Sequence, residues 1–207
     1  MTNKLSPREK ETARRERTQW RRAIYTSPIS VEAVVKLDAL MDYLYERTDF
    51  FYAPASTKYH SAYPGGLSEH SRLLIGVLMQ LTSAKACHEW QRAESPIIIG
   101  MLHDITKVGN YLKAEDYSDQ IPRYKHNKDK LELSEIHGIH GEDSLLKAQK
   151  LTDLTEEEAA CIRWHMGAYE VTAWDGFDQA IRQFPNVLWT HTADMVASKV
   201  LEKTDAK

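Results

Sequence analysis

Apolar residues recur at helical spacing along most of the chain. From 31 to 46, VEAVVKLDALMDYLYE repeats them at i, i+3, i+4 and i+7, which predicts an amphipathic helix. FYAPASTKYHSAYPGG, with Pro54, Pro64, Gly65 and Gly66, reads as a loop. LSEHSRLLIGVLMQLTSA then predicts a long helix starting near Gly66. SPIIIGMLHDITKVGNYL is apolar all round at its start, as befits a helix through the centre of a domain. Ser95 is a candidate N-cap there, with Pro96 at the first helical position.

Residues 113–134 are polar and irregular, a length that within a compact domain suggests a functional loop or lid. A helix from about Gly141 to Leu151 is expected next. Thr155 with Glu158 three residues on forms a capping-box pattern at the head of LTEEEAACIRWHM. GAYEVTAWDGF reads as a looser stretch before a final helix around 187–202. No alternating strand pattern and no internal repeat is visible. These elements predict an all-α, single-domain helical bundle.

The N-terminal segment departs from this pattern. Residues 1–22 carry eight Lys or Arg against Glu9, Glu11 and Glu16. Residues 1–24 are therefore read as a basic helical arm ahead of a domain spanning 25–207. Two roles stay open for the arm, a solvated helix or a surface that binds nucleic acid or a partner.

Composition narrows the classes. At 207 residues, 42% hydrophobic and 28% charged, the chain suits one well-buried core. A formal net charge of -3 gives no whole-molecule attraction to nucleic acid or anionic lipid. No apolar run approaches the ~20 residues of a membrane span, and the charged N-terminus carries no hydrophobic leader region. Cys87 and Cys161 form no CxxC pair, so neither a disulfide framework nor a thiolate zinc site is expected. A cytoplasmic location without membrane partners is the expectation.

Nine histidines are the informative excess. The sharpest feature is His103–Asp104, inside a helix apolar enough to be buried. A buried Asp is costly unless it is paired, hydrogen-bonded or bound to a metal. Lys107 lies three residues beyond Asp104 on the same helical face, suited to a phosphate oxygen. Further donors follow in order: His70 in GGLSEHS, His137 and His140 in HGIHGEDS, His165 in IRWHMG, and Asp194 in HTAD with His191 before it. His137 is read as a loop residue or a substitute for His140. His191 reads as a supporting or packing residue, His88 and His126 as exposed ones, and Trp164 and Trp189 as core.

The stretches GGLSEHS, MLHDITKVGNY, HGEDS, LTEEEAACIRWHMG and HTAD, in this order over residues 55–200, resemble the HD superfamily of metal-dependent phosphohydrolases, in particular a bacterial and phage group. HSAYPGGLSEH also resembles the HD-domain 3′-to-5′ exoribonucleases, which add a nucleic-acid-binding OB module for which this chain is too short. The resemblance implies an HD-type bundle with a first metal on His70, His103, Asp104 and Asp194. It further implies a second metal on His140 and His165, with Asp104 bridging and Lys107 assisting. Mixed imidazole and carboxylate ligands suit one or two ions of Mn, Fe, Co, Ni or Zn better than Mg²⁺. His60, Arg72, Lys107, Tyr111, Tyr124 and Lys125, with Arg123, are candidates for substrate contact; Tyr124 either stacks on a base or packs as part of a lid.

Three functions follow as expectations: hydrolysis of a phosphoester or phosphoanhydride bond in a nucleotide, 3′-to-5′ cleavage of single-stranded nucleic acid, and nucleotide sensing without catalysis. Pairing of two copies is common in this superfamily, so a homodimer is also expected.

Overall fold

The computed structural model describes residues 5–58, 60–129, 139–168 and 174–202. Helix α1 (Pro7–Thr26) opens with a complete capping box. The Glu9 amide donates to Ser6 Oγ at 3.2 Å and the Ser6 amide donates to Glu9 Oε2 at 2.7 Å. The segment expected as a polar arm has one face in the core, since Ala13, Trp20 and Ile24 are buried against its neighbours. Helix α2 (Val31–Arg47) starts at Ser30, whose hydroxyl accepts the Ala33 amide, and buries Leu37, Met41 and Leu44.

Helix α3 (Gly66–Ser83) is the central strut, packed on both α1 and helix α4 (Ser95–Leu102). Every residue of α4 is buried. Helix α4 begins one residue earlier than expected, with Glu94 at the cap. Ser95 Oγ instead donates to Glu158 Oε1 at 2.7 Å, so a remote carboxylate has taken the hydroxyl from its capping role. A 3₁₀ turn (Ile105–Lys107) continues from α4.

A short antiparallel ribbon, β1 (Tyr111–Lys113) with β2 (Tyr124–His126) in the register Leu112↔Lys125, takes the end of the run read as helical, Tyr111 and Leu112, together with part of the segment read as irregular. Helices α5 (His140–Ala148) and α6 (Glu156–Trp164) pack on one another. The capping box expected for α6 is present, with Thr155 N to Glu158 Oε2 at 2.9 Å and Glu158 N to Thr155 Oγ1 at 3.2 Å.

Helix α7 (Trp174–Gln183) occupies part of the stretch read as loose. Gly176 weakens its intrinsic propensity, and packing of Phe177 on Trp164, ring centroids 5.8 Å apart, compensates. Helix α8 (Asn186–Val196) runs on into a π-helical turn, Ala197–Leu201, and both pack against α3. The result is a single all-α domain with one small ribbon. Among the described residues, no helix is long and apolar enough to cross a membrane.

Candidate metal centre

Tight backbone contacts place the histidines. Gly65 has φ +86 at the head of α3, and a Cβ on Gly66 would lie 2.0 Å from the Ser61 carbonyl oxygen. The loop carrying His60 and Ser61 is thereby held against the first turn of α3, one turn before His70. At the other side, a Cβ on Gly141 would lie 2.1 Å from the Arg163 carbonyl oxygen. That approach brings His140, the first residue of α5, to His165, which caps the C-terminus of α6; their ring centroids are 5.1 Å apart.

Contrary to the expectation from the sequence, the His103–Asp104 pair does not lie within a continuous helix. His103 is the C-cap of α4, and Asp104 leaves the helical path at φ -107, ψ 19. Neighbours in an uninterrupted helix point about 100° apart, and the break lets both side chains serve one centre. Lys107 does meet Asp104, Nζ to Oδ2 at 2.7 Å.

Around Asp104 the other donors converge. Its Oδ2 is 3.4 Å from both His70 Nε2 and His103 Nε2. Its Oδ1 is 2.6 Å from His140 Nε2 and 3.7 Å from His165 Nε2. Asp194 Oδ1 is 3.0 Å from His70 Nε2, and the two Nε2 atoms of His70 and His103 are 3.1 Å apart. Three triplets, His70–His103–Asp194, Asp104–His140–His165 and His60–His70–Glu202, each have ligand atoms within 4.8 Å of one another.

The partners of the far ring nitrogens fix the tautomers. His103 Nδ1 meets the Gly100 carbonyl at 3.0 Å and His165 Nδ1 the Ile162 carbonyl at 2.7 Å. A carbonyl only accepts, so both Nδ1 atoms carry the proton and both Nε2 atoms present lone pairs. His70 Nδ1 likewise meets the carboxylate of Glu202, at 2.5 Å. Acceptors therefore crowd the centre. A proton on His70 Nε2 bonds either Asp194 or His103. His165 Nε2 is buried with no hydrogen-bond partner among the described residues.

The charges follow. Burial works against a cationic His70, but hydrogen bonds to Asp194 and Glu202 overcome it and raise its pKa to about 9. Burial drives His165 down to about 3. Burial also opposes the charge of Asp104, yet the Lys107 ammonium 2.7 Å away holds that carboxyl well below its usual range. Asp194 is held down in the same way, mainly by His70. A surplus of buried lone pairs beside two ionised carboxylates fits a cation, and mixed N and O donors suit a first-row transition ion. These buried groups could hold a metal ion.

The cluster floors a cavity of about 850 Å³. His60 and Lys107 line it beside His70, Asp104, His140 and Asp194, and Met166, Trp174, Phe177, Leu188 and Met195 form an apolar wall. Arg72, Tyr111, Tyr124 and Lys125 are not among the lining residues. Arg72 Nε lies 3.8 Å from Glu16, and the Tyr111 hydroxyl donates to the Ala55 carbonyl at 3.4 Å. The ribbon takes Tyr124 onto Tyr117 and Lys125 onto Glu115, while Arg123 pairs with Asp116. His191 supports His165 by bonding its carbonyl through Nδ1 at 2.8 Å. His137 lies outside the described residues.

Glu202 was not among the residues singled out from the sequence, nor was the apolar wall. Glu202 comes directly after the π turn, whose wider winding no residue pattern announces, and Trp174 sits in the stretch read as loose. No family model, curated protein or solved structure matches the chain. The class that the fold and site define is thus an all-α domain with a buried cluster of four histidines and two aspartates.

Proposed function

We propose that the chain is an HD-type, metal-dependent phosphohydrolase that cleaves a phosphoester or phosphoanhydride bond of a nucleotide. The observation that carries the reading is the meeting of His70, His103, His140, His165, Asp104 and Asp194 with more buried acceptors than protons to satisfy them. The order of the motifs that carry these residues, which resembles HD hydrolases, supports the same reading. His70, His103, Asp104 and Asp194 would hold a first ion, and His140 and His165 a second, with Asp104 offering one oxygen to each set. Such ions supply Lewis acidity and a bound water acidic enough to be hydroxide near neutral pH.

The chain's own residues do the remaining work. Lys107, 2.7 Å from Asp104, sets a fixed positive charge at the cavity floor where phosphoryl oxygens would lie. Burial of the floor strengthens that charge relative to water. Trp174 and Phe177 offer aromatic faces to a base, and this wall favours a nucleotide over a small polar phosphoester.

No comparable observation favours a polymer substrate. Arg17 pairs with Asp42 at 2.5 Å and Arg21 with Asp38 at 3.2 Å, so part of the basic face of α1 is neutralised within the chain.

The test is phosphate release from nucleoside mono- and triphosphates with Mn²⁺, Co²⁺ or Ni²⁺. Turnover should require the ion and fall by about 10²–10³-fold in Asp104→Asn, the scale of losing a preorganised charge-stabilising group. An Asp104→Asn protein that keeps the wild-type rate, or a wild type inert with every ion and nucleotide, overturns the proposal.

A further inference from the structure

Glu202 is a charged side chain with 0% exposure, and both of its oxygens are used. Oε1 accepts from His70 Nδ1 at 2.5 Å. Oε2 accepts from Ser61 Oγ at 2.6 Å and from His60 Nδ1 at 3.0 Å. No Lys or Arg pairs with it among the described residues, so its charge is stabilised by hydrogen bonds from these imidazoles and the hydroxyl. A buried carboxylate without such partners would be costly, so the arrangement is built rather than incidental.

The backbone reaches this position by an unusual route. The π turn Ala197–Leu201 closes with the Glu202 amide donating to the Ala197 carbonyl at 3.0 Å. A π turn widens the winding and rotates the next residues relative to an α-helical continuation, and such turns occur at functional sites. Here the rotation buries Glu202, while Leu201 beside it remains exposed.

We propose that Glu202 is a positioning residue for the metal centre: it locks His70 in the Nδ1–H tautomer with Nε2 toward the ion, and with the same carboxylate orients His60 on the cavity wall. The inference rests on the reading of His70 as a metal ligand and adds a residue to that centre. A carboxylate behind a ligating imidazole fixes ring orientation and raises the basicity of the coordinating nitrogen, and its loss typically costs ~10–100-fold in metal affinity. His60 gains from the same contact, because its Nδ1 is committed to Glu202 and Nε2 is the ring nitrogen left for a ligand in the cavity. The π turn thereby ties the C-terminal end of α8 to the loop before α3.

The experiment titrates metal-stripped wild type, Glu202→Gln and Glu202→Asp with Co²⁺ by calorimetry, following the visible spectrum of the bound ion. Circular dichroism of each stripped protein reports folding. Glu202→Gln is expected to bind about 10–100-fold more weakly and to alter the Co²⁺ spectrum. Glu202→Asp, which keeps the charge, should recover part of the affinity. A second readout needs no metal: proton NMR of stripped wild type should show a far-downfield imidazole N–H from His70 that disappears in Glu202→Gln. Folded Glu202→Gln with unchanged affinity overturns this inference and leaves the proposed function standing. Wild type that binds no Co²⁺ overturns both. Should Glu202→Gln fail to fold, Glu202→Asp with wild-type affinity and an unshifted N–H resonance overturns it equally.

Discussion

His165 Nε2 and Asp104 Oδ1 face each other across 3.7 Å as two acceptors, because the His165 proton is committed to the Ile162 carbonyl. An unpartnered buried nitrogen costs ~1–3 kcal/mol, so the imidazole is a burden on the ion-free fold and an asset only to a bound ion. His165→Leu should test this division. Leucine loses the Nδ1 bond but removes the orphan, and the two effects oppose. In chelator the variant should unfold within about 1 kcal/mol of wild type. Saturating Co²⁺ should then stabilise wild type more than the variant, by linkage. A loss of several kcal/mol in chelator with an equal gain from Co²⁺ would show that His165 serves the fold and not an ion.

Stability of the ion-free protein should peak near pH 6.5. His70 holds its proton more tightly when folded, its pKa rising from 6.5 to about 9, so its contribution is whole below pH 6.5 and is lost as the pH climbs toward 9. His165 behaves in the opposite sense. Its pKa falls from 6.5 to about 3, so stability is lost as the pH drops through that interval and the unfolded chain takes up the proton. Glu202, lowered from 4.5 to about 2, adds a further loss below 4.5. Urea unfolding across this range in chelator reads the profile. Co²⁺ should flatten the alkaline limb, since an ion takes the place of the His70 proton. A profile that keeps rising through pH 9 in chelator contradicts the charge assignment.

Much of this was legible because it depends on local rules. Thr155 and Glu158 announce the start of α6, and the apolar run from Pro96 announces a buried helix. His103 and Asp104 stand out because a buried Asp in an apolar run demands a partner, whereas the resemblance of the motif order to HD hydrolases is what singles out His70, His140, His165 and Asp194 as a set. The parts missed depend on distance or on departures from regular winding. Each strand of the ribbon is three residues long, too short for an alternating pattern. Ser95 lost its capping role to Glu158, 63 residues away. Asp104 breaks the helix at a position where no Gly or Pro marks a break, and Glu202 arrives through a π turn.

Trp174 should govern substrate affinity more than turnover. It lines the cavity wall and is 70% exposed, so truncating it leaves little of the core disturbed. Base–aromatic stacking contributes ~1–3 kcal/mol. Trp174→Ala should accordingly raise KM for the preferred nucleotide by about 5- to 150-fold, with kcat changed far less. Circular dichroism and the unfolding midpoint should match wild type. An unchanged KM would place the base elsewhere, and an equal fall in kcat would mean that Trp174 acts on the reacting phosphate.

The N-terminal helix should prove part of the fold rather than a detachable arm. Trp20 is fully buried, stacks edge-on against Phe50 with centroids 5.9 Å apart, and donates Nε1–H to Ser68 Oγ at 2.9 Å. Ser68 lies on the first turn of α3, two residues before His70, so α1 braces the strut that carries a proposed ligand. Trp20→Ala should cost ~3–5 kcal/mol by urea unfolding. Changing exposed Arg8, Lys10, Arg14 or Arg22 to Ala should shift stability by no more than about 0.5 kcal/mol each. Deleting residues 1–22 removes Trp20 with the arginines, so lost activity in that truncation would report unfolding before any loss of nucleic-acid contact. The four single substitutions separate the two causes, because they discharge the outer face while leaving the tryptophan in place. A truncated chain with the unfolding midpoint of the full one would instead make α1 dispensable to the domain.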